Sequence, residues 1–221
     1  MTEHARRISI GRVRVLGVVS VLVLSASPAG VAAQTGSVDV QRSRFYVFVA
    51  KKGAGHEHGV EGRVAAGTII LGQLRQAGSL TFDLRSLVAD TSAARRFFNL
   101  AGETDADTQA QINANMHGAA VLDLARFPSA EFRIDSALPT PQQADRPTQQ
   151  PYELTGEFTL HGVTRTLRIA AVAEAADGLI RLRGKFPLKQ TDYGIRPFSK
   201  LLGAVGVGDE VQVFGDLWLR P

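Results

Sequence analysis

Apolar and polar side chains alternate along most of the chain after residue 34. In the stretch SLTFDLRSL, Leu80, Phe82 and Leu84 fall on one face, and the residues between them are polar. The same period of two recurs in four further stretches, SAEFRID, YELTGEFTL, LIRLRGKFPL and EVQVFGDLWL. Because successive side chains of a β-strand point to opposite faces, this pattern predicts strands with one apolar and one polar face.

Three further segments, 44–51, 58–71 and 164–174, are also predicted strands, although their alternation is less regular. Short turns join the eight strands, and Asp177-Gly178 is a strong hairpin signal. Such strands bury their apolar faces either in a two-sheet sandwich or in a closed barrel. Sequential hairpins favour the barrel. We therefore predict an all-β fold, an eight-stranded antiparallel, lipocalin-like barrel with an apolar interior.

Two segments depart from the alternation. Residues 91–118 have helical composition, with Thr104 and Asp107 spaced as a capping box and Gly118 as a stop signal, so one or two short helices are expected. Residues 137–151 contain four prolines and four glutamines. This composition predicts a flexible polar loop.

The inward-facing side chains of the predicted barrel form an apolar lining almost without charge. The candidates for this lining, and for contacts with a bound molecule, are Leu80, Phe82, Leu84, Phe132, Ile134, Leu154, Phe158, Ile180, Leu182 and Phe186. A barrel of eight strands can hold one small ligand. The same side chains could instead interdigitate and fill the barrel, and the sequence leaves both arrangements open.

The first 33 residues have the order of a secretory signal peptide. Arginines lie at or before the start of an apolar core, and small residues follow up to an expected cleavage site between Ala33 and Gln34. The apolar core is too short to span a bilayer, which takes roughly 20 helical residues. We therefore expect residues 34–221 to form a single exported domain, periplasmic or secreted, with no membrane span.

Removing this segment changes the electrostatics. The chain has 25 basic and 21 acidic residues, and the segment carries four arginines and one glutamate, so the mature chain keeps 21 and 20, a net charge of +1. The mature chain thus has no basic excess to neutralise phosphates, and we expect no nucleic-acid partner. There is no cysteine, so the fold has neither disulfides nor a thiolate nucleophile and depends on its buried core.

Several motifs together resemble one known family. GEFTLHGVTRTLRI resembles a strand–turn–strand of the YceI-like polyisoprenoid-binding family, ARFPSAEFRI its helix end and following strand, and VGVGDEVQVFGDLWL its closing strand. GHEHGVEGRVAAGTIIL lies where that family passes from its first strand to its second. The matches keep their order from Ser43 to Leu219, and the Pro/Gln-rich loop looks like an insertion. The resemblance implies a lipocalin-like periplasmic barrel whose elongated apolar cavity takes a long isoprenoid or a related lipid.

The motif GHEHG sets His56 and His58 one residue apart. In a strand the two imidazoles would point to the same side and could share a zinc or copper ion. A catalytic zinc site needs a third protein ligand, for which Glu61, His117 and His161 are candidates. The flanking glycines also permit a loop. The pair could equally mark a polar strand start or contact a lipid headgroup.

The long link between the last two strands, residues 190–209, is predicted to be a flap over the cavity mouth. Arg196 or Lys200 could then bind a phosphate headgroup, and Tyr193 or Phe198 could contact the apolar chain. A solvated loop that packs on itself is the alternative.

Sequence motifs of nucleophilic catalysis are absent: the chain has no G-x-S-x-G, no S-x-x-K and no phosphate-binding P-loop. We therefore expect no enzyme and no cofactor other than a bound lipid. The preferred hypothesis is an exported carrier of an apolar, isoprenoid-like lipid. The alternatives are a metal-binding protein or metal-dependent enzyme that uses His56 and His58, and an interaction module with a filled barrel. Homodimerisation stays open.

Overall fold

The computed structural model describes residues 34–142, 144–201 and 204–221, and the predicted signal peptide lies outside these ranges. The described chain forms ten strands, two α-helices and a short 3-10 helix. In chain order they are β1 (Gln34–Val38), β2 (Arg44–Gly53), β3 (His58–Leu71), β4 (Gly78–Ala89), α1 (Ser92–Phe97), α2 (Ala106–His117), β5 (Ser129–Pro139), β6 (Gln149–Leu160), β7 (Val163–Ala176), β8 (Leu179–Lys189), the 3-10 helix (Gln190–Tyr193), β9 (Ser199–Lys200) and β10 (Val205–Arg220).

Eight of the strands close into an antiparallel barrel, which confirms the predicted fold. Strands β2 to β8 pair in chain order, and β10 closes the barrel by pairing with both β8 and β2. Val213 of β10, for example, pairs with Phe186 on one side and Val47 on the other. The short strands β1 and β9 lie outside this ring: β1 pairs with β10 and β3, and β9 pairs with β10.

Tight turns explain why consecutive strands are neighbours. His161 and Gly162 join β6 to β7 with φ angles of 51° and 76°, and Asp177 and Gly178 join β7 to β8 with φ angles of 52° and 73°. Two successive residues with positive φ are typical of the type I′ turn, whose twist matches that of antiparallel strands. The Asp177-Gly178 hairpin predicted from sequence is therefore present.

Both helices lie within the segment predicted to be helical, but the N-cap residue of the second helix differs from the predicted one. Asp105, and not Thr104, caps α2, because the Asp105 side chain accepts a hydrogen bond of 2.9 Å from the backbone N–H of Thr108. The Thr104 hydroxyl instead donates to Asp90. Gly118 follows α2 as predicted. Among the described residues, no helix has both the length and the apolar character that crossing a membrane requires.

The Pro/Gln-rich segment is shorter as a loop than predicted. Residues 137–139 belong to β5 and residues 149–151 to β6, where Ala137 pairs with Leu154 and Pro139 with Tyr152. The residues between the two strands are therefore 140–148. Strand β5 ends at Pro139, but β6 continues through Pro151, whose carbonyl still accepts a hydrogen bond from the N–H of Thr140.

An aromatic cluster holds α1 against the outer wall of the barrel. Phe98, the C-cap residue of α1, lies with its ring centroid 5.5 Å from that of Phe48 and 5.4 Å from that of Phe214. Its ring also covers Gly59, where an added Cβ would lie only 2.9 Å from the Phe98 ring. Glycine at this position thus lets the helix end approach the strand closely.

Replacing Phe98 with alanine is expected to lower the free energy of unfolding by about 2 kcal/mol, since the half-buried ring loses its contacts with several aromatic neighbours. Urea unfolding measures the change. Leu74→Ala is the control, because Leu74 is 65% exposed and its loss should change little. Equal effects of the two substitutions would contradict the anchoring role of Phe98.

Candidate ligand-binding cavity

The barrel encloses an apolar cavity of about 220 Å³. Its lining is contributed by the barrel strands, by α2 and by the segments that follow α2 and β8. The lining residues are Phe45, Val47, Val49, His58, Val60, Phe82, Leu84, Leu87, Ile112, Asn115, Met116, Val121, Leu122, Ala130, Phe158, Leu160, Phe186, Leu188, Gln190, Ile195, Phe198, Val207, Val211 and Val213. Only His58, Asn115 and Gln190 among them are polar. A molecule in this cavity therefore meets almost entirely hydrocarbon.

A second, smaller cavity of about 50 Å³ lies deeper in the same barrel. We call it the inner chamber and the larger space the main cavity. Phe45, Phe82, Phe158, Phe186 and Val213 line both. The interior is thus open in two places and is not the completely filled barrel of the third hypothesis.

The residues predicted to line the interior divide between the two spaces. Phe82, Phe158 and Phe186 line both, and Leu84 lines the main cavity alone. Leu80, Phe132, Leu154 and Leu182 line the inner chamber alone. Ile134 and Ile180 lie outside both linings: Ile134 is 1% exposed and packs in the core, and Ile180 is partly buried against it.

Sequence reasoning missed the residues with which α2 closes one end of the main cavity. Ile112 and Met116 reach the lining from this helix. Three hydrogen bonds tie α2 to β4: Gln109 donates to the carbonyl of Ala89 (2.7 Å), Asn113 accepts from the N–H of Ala89 (2.8 Å), and His117 Nε2 lies 2.8 Å from the carbonyl oxygen of Leu87. The helical pattern of 91–118 predicted a helix but carried no signal for where it packs.

The segment between β8 and β10 contributes one predicted mouth residue to the cavity. Phe198 lines the main cavity, whereas Arg196 and Lys200 are exposed and lie outside its lining. Tyr193 ends the 3-10 helix and is buried, and its ring packs edge-on against Phe158 with centroids 5.8 Å apart. Burial raises the pKa of the Tyr193 hydroxyl. The predicted flap is also partly strand, since Ser199–Lys200 forms β9 and pairs with β10.

A polar cleft of about 720 Å³ adjoins the main cavity. His58, Ile112, Phe198 and Val207 line both spaces and therefore mark the mouth of the barrel. The other charged and titratable side chains of the cleft are Lys51, His56, Glu57, Asp90, Arg95, Glu103 and Asp105. Four carboxylates face two cations here, so the cleft has no positive field for a phosphate group.

Asp90 organises the cleft side of the mouth. Its side chain is 1% exposed and lies 2.8 Å from His58 Nδ1 and 3.4 Å from the Arg95 guanidinium. It also accepts hydrogen bonds from the Thr104 hydroxyl (3.0 Å) and the Gly59 N–H (3.2 Å). Burial alone would raise the pKa of Asp90, but its hydrogen bonds and the neighbouring His58 ring lower the pKa below the ordinary value.

In the described part of the chain, the candidate metal ligands do not come together as a group of three. His58 begins β3, but His56 precedes the strand, so the argument that both side chains point to one side does not apply. Glu61 is engaged with Arg44 and Thr91, and His161 Nδ1 lies 3.2 Å from the carbonyl oxygen of Tyr193. Across residues 34–142, 144–201 and 204–221, no three His, Asp or Glu side chains are grouped so that they could hold a metal ion.

A closed barrel of eight antiparallel strands around an apolar cavity defines this protein as a lipocalin-like barrel. The chain belongs to the YceI-like family, since the YceI-like domain model matches residues 37–217. This confirms the family predicted from the sequence motifs.

Solved structures share the fold at low sequence identity. BcnA from Burkholderia cenocepacia is 18% identical, with a TM-score of 0.52 over 82% of this chain and 98% of its own. A polyisoprenoid binding domain from Saccharophagus degradans, implicated in plant cell wall breakdown, is 14% identical, with a TM-score of 0.52 over 83% of this chain and 97% of its own. At these identities the likeness establishes the fold alone. No curated protein matches the chain.

Proposed function

We propose that this protein is an exported carrier that binds a long apolar lipid of isoprenoid type inside its barrel. The observation that supports the proposal most directly is the composition of the main cavity, where three polar residues stand among 24 lining residues. The name of the Saccharophagus degradans domain, a polyisoprenoid binding domain of the same fold, agrees with this ligand class.

The physical basis of binding is the transfer of hydrocarbon from water into the barrel. Each buried CH₂ group contributes about 0.8 kcal/mol. The cavity of about 220 Å³ exceeds the apolar cavities of about 150 Å³ that stay dry and bind benzene in engineered proteins. Affinity therefore needs few polar contacts, and the protein acts by binding without covalent chemistry.

The adjoining cleft receives the polar end of the ligand in this proposal. The chain enters past Phe198 and Val207, which line both the main cavity and the cleft. His58 lies at the same boundary, where the Asp90 carboxylate orients its ring through Nδ1. A hydrogen-bonding group at the end of the lipid would thus lie beside an imidazole of defined orientation.

Native mass spectrometry of the full chain, expressed with its N-terminal segment and purified from the periplasm, tests the proposal. The expected result is a polypeptide that begins at Gln34 and carries the added mass of an apolar molecule, which organic extraction removes. Protein that is folded but carries no added mass, even after incubation with polyprenols, would refute lipid binding. A polypeptide that remains in the cytoplasm with its first 33 residues attached would refute export.

A further inference from the structure

We propose that Phe45, Phe82, Phe158 and Phe186 form an aromatic partition that sets the maximum length of the bound chain. This inference rests on the proposed lipid-binding function and adds a determinant of specificity to it. The partition separates the main cavity from the inner chamber, because the four rings line both spaces.

The four phenylalanines come from alternate strands of the barrel. They lie on β2, β4, β6 and β8, so their rings reach the axis from four sides. The centroids of Phe45 and Phe82 are 5.2 Å apart, those of Phe82 and Phe158 6.2 Å, and those of Phe158 and Phe186 5.9 Å. All three pairs have edge-on geometry, which is favourable for aromatic rings. One connected layer of rings therefore crosses the barrel.

Small residues on two of the intervening strands, β3 and β5, leave room for two of the rings. Phe45 pairs with Gly62 on β3, and Phe82 pairs with Ala130 on β5. An added Cβ at Gly62 would lie 2.2 Å from the tip of the Phe45 ring. Glycine is thus required where the ring lies flat over the strand, and this contact fixes the position of Phe45.

Phe158, at the centre of the layer, is also closely packed. Phe158 contacts Phe82, Phe186 and Tyr193, and it is 7% exposed. Packed side chains of this kind do not move aside without loss of several contacts. A lipid chain that enters from the mouth therefore ends at the partition, and the inner chamber stays empty of ligand.

The inner chamber has space for additional side-chain atoms at Gly215. Gly215 shares a face of β10 with Val213 and Leu217, which also line the chamber. An added Cβ at Gly215 would meet a single heavy atom within 4 Å, Cγ of Leu217 at 3.9 Å. A valine at this position would consequently occupy the chamber without disturbing the partition or the main cavity.

Three variants test the partition: Phe158→Ala, Gly215→Val and the double variant. Each is incubated with a mixture of all-trans polyprenols that differ by single isoprene units, and native mass spectrometry identifies the bound chain by its mass. Phe158→Ala joins the two spaces, so its longest bound chain should exceed that of the wild type by at least one isoprene unit. Gly215→Val alone should bind polyprenols up to the same maximum length as the wild type. In the double variant, the valine should cancel the increase in maximum length that Phe158→Ala causes.

Two results would overturn the proposal. A folded Phe158→Ala protein with the wild-type length limit would show that the rings do not set the limit. A shorter limit in Gly215→Val would show that the chain already enters the inner chamber, and this arm remains decisive if Phe158→Ala fails to fold. Failure of the proposed function has a different signature, since none of the proteins, including the wild type, would then bind a polyprenol.

Discussion

Replacing Asp90 with asparagine is expected to lower the free energy of unfolding by about 3 kcal/mol at pH 7. The side chain is almost completely buried and pairs with His58 and Arg95, whose own side chains are 18% and 14% exposed. Removing one charge of such a group leaves its partners poorly solvated, which typically costs about 3–5 kcal/mol. The lower end of that range applies here because the partners retain some contact with water.

Asparagine isolates the effect of the charge. Asp90 has a φ of 55°, in the left-handed region, and asparagine tolerates this conformation as well as aspartate does. The matched control is Asp177→Asn, because Asp177 also has positive φ, at 52°, and also pairs with an arginine, Arg42. Asp177 is 68% exposed, so its loss should leave urea unfolding unchanged. Similar destabilisation by both substitutions would contradict the role assigned to the buried network.

The contribution of Asp90 should also depend on pH in a defined direction. The pKa of Asp90 is lower in the folded chain than its ordinary value of 3.8, so in acid the unfolded chain binds more protons than the folded chain. The carboxylate therefore stabilises the fold fully above about pH 5, and this stabilisation is lost as the pH falls through the lowered pKa. The difference in stability between wild type and Asp90→Asn should accordingly shrink below pH 4. A difference that stays constant down to pH 2 would exclude the charge as its cause.

Replacing Ala130 with phenylalanine is expected to weaken polyprenol binding by more than tenfold. Ala130 lies on β5, is 3% exposed and lines the main cavity but not the inner chamber. An added ring displaces part of the lipid chain, and the loss of two buried CH₂ groups costs about 1.6 kcal/mol, which exceeds a factor of ten in affinity. Titration with a fluorescent polyprenol analogue measures the change.

The neighbouring residue supplies the control for Ala130. Glu131 is exposed on the outer face of the same strand, so Glu131→Phe adds the same ring outside the barrel. Binding by Glu131→Phe should match the wild type, and urea unfolding should show that Ala130→Phe is folded. Undiminished binding by folded Ala130→Phe would place the lipid outside the main cavity.

Local pattern predicted the strands closely because each barrel strand has one face in the core and one in water. Segment 58–71 coincides with β3, and segment 164–174 lies within β7. The same reasoning predicted β5 and β6 to be shorter than they are. Proline and glutamine suggested a loop where pairing between the two strands in fact extends both of them. Pairing with a distant partner overrides composition, and composition alone contains no information about that partner.

Candidate site residues were predicted less completely. The alternation identified Phe82, Phe158 and Phe186, because the alternation of apolar and polar residues along a strand shows which side chains face inward. The sequence did not identify Ile112 and Met116, since a helical pattern does not tell which end of a barrel the helix covers. His58 stood out as a candidate metal ligand, but its closest partner, Asp90, is 32 residues away.

The sequence by itself determined the strand periodicity, the apolar character of the barrel interior and the family, because these depend on residue type and order. Tertiary structure decided how that interior is divided. Whether inward-facing side chains meet across the axis depends on register: rings from β2, β4, β6 and β8 form one layer, in which Phe45 pairs with Gly62 and Phe82 with Ala130. Packing of this kind depends on distances between residues remote in sequence, and so only the folded chain separates a main cavity from an inner chamber.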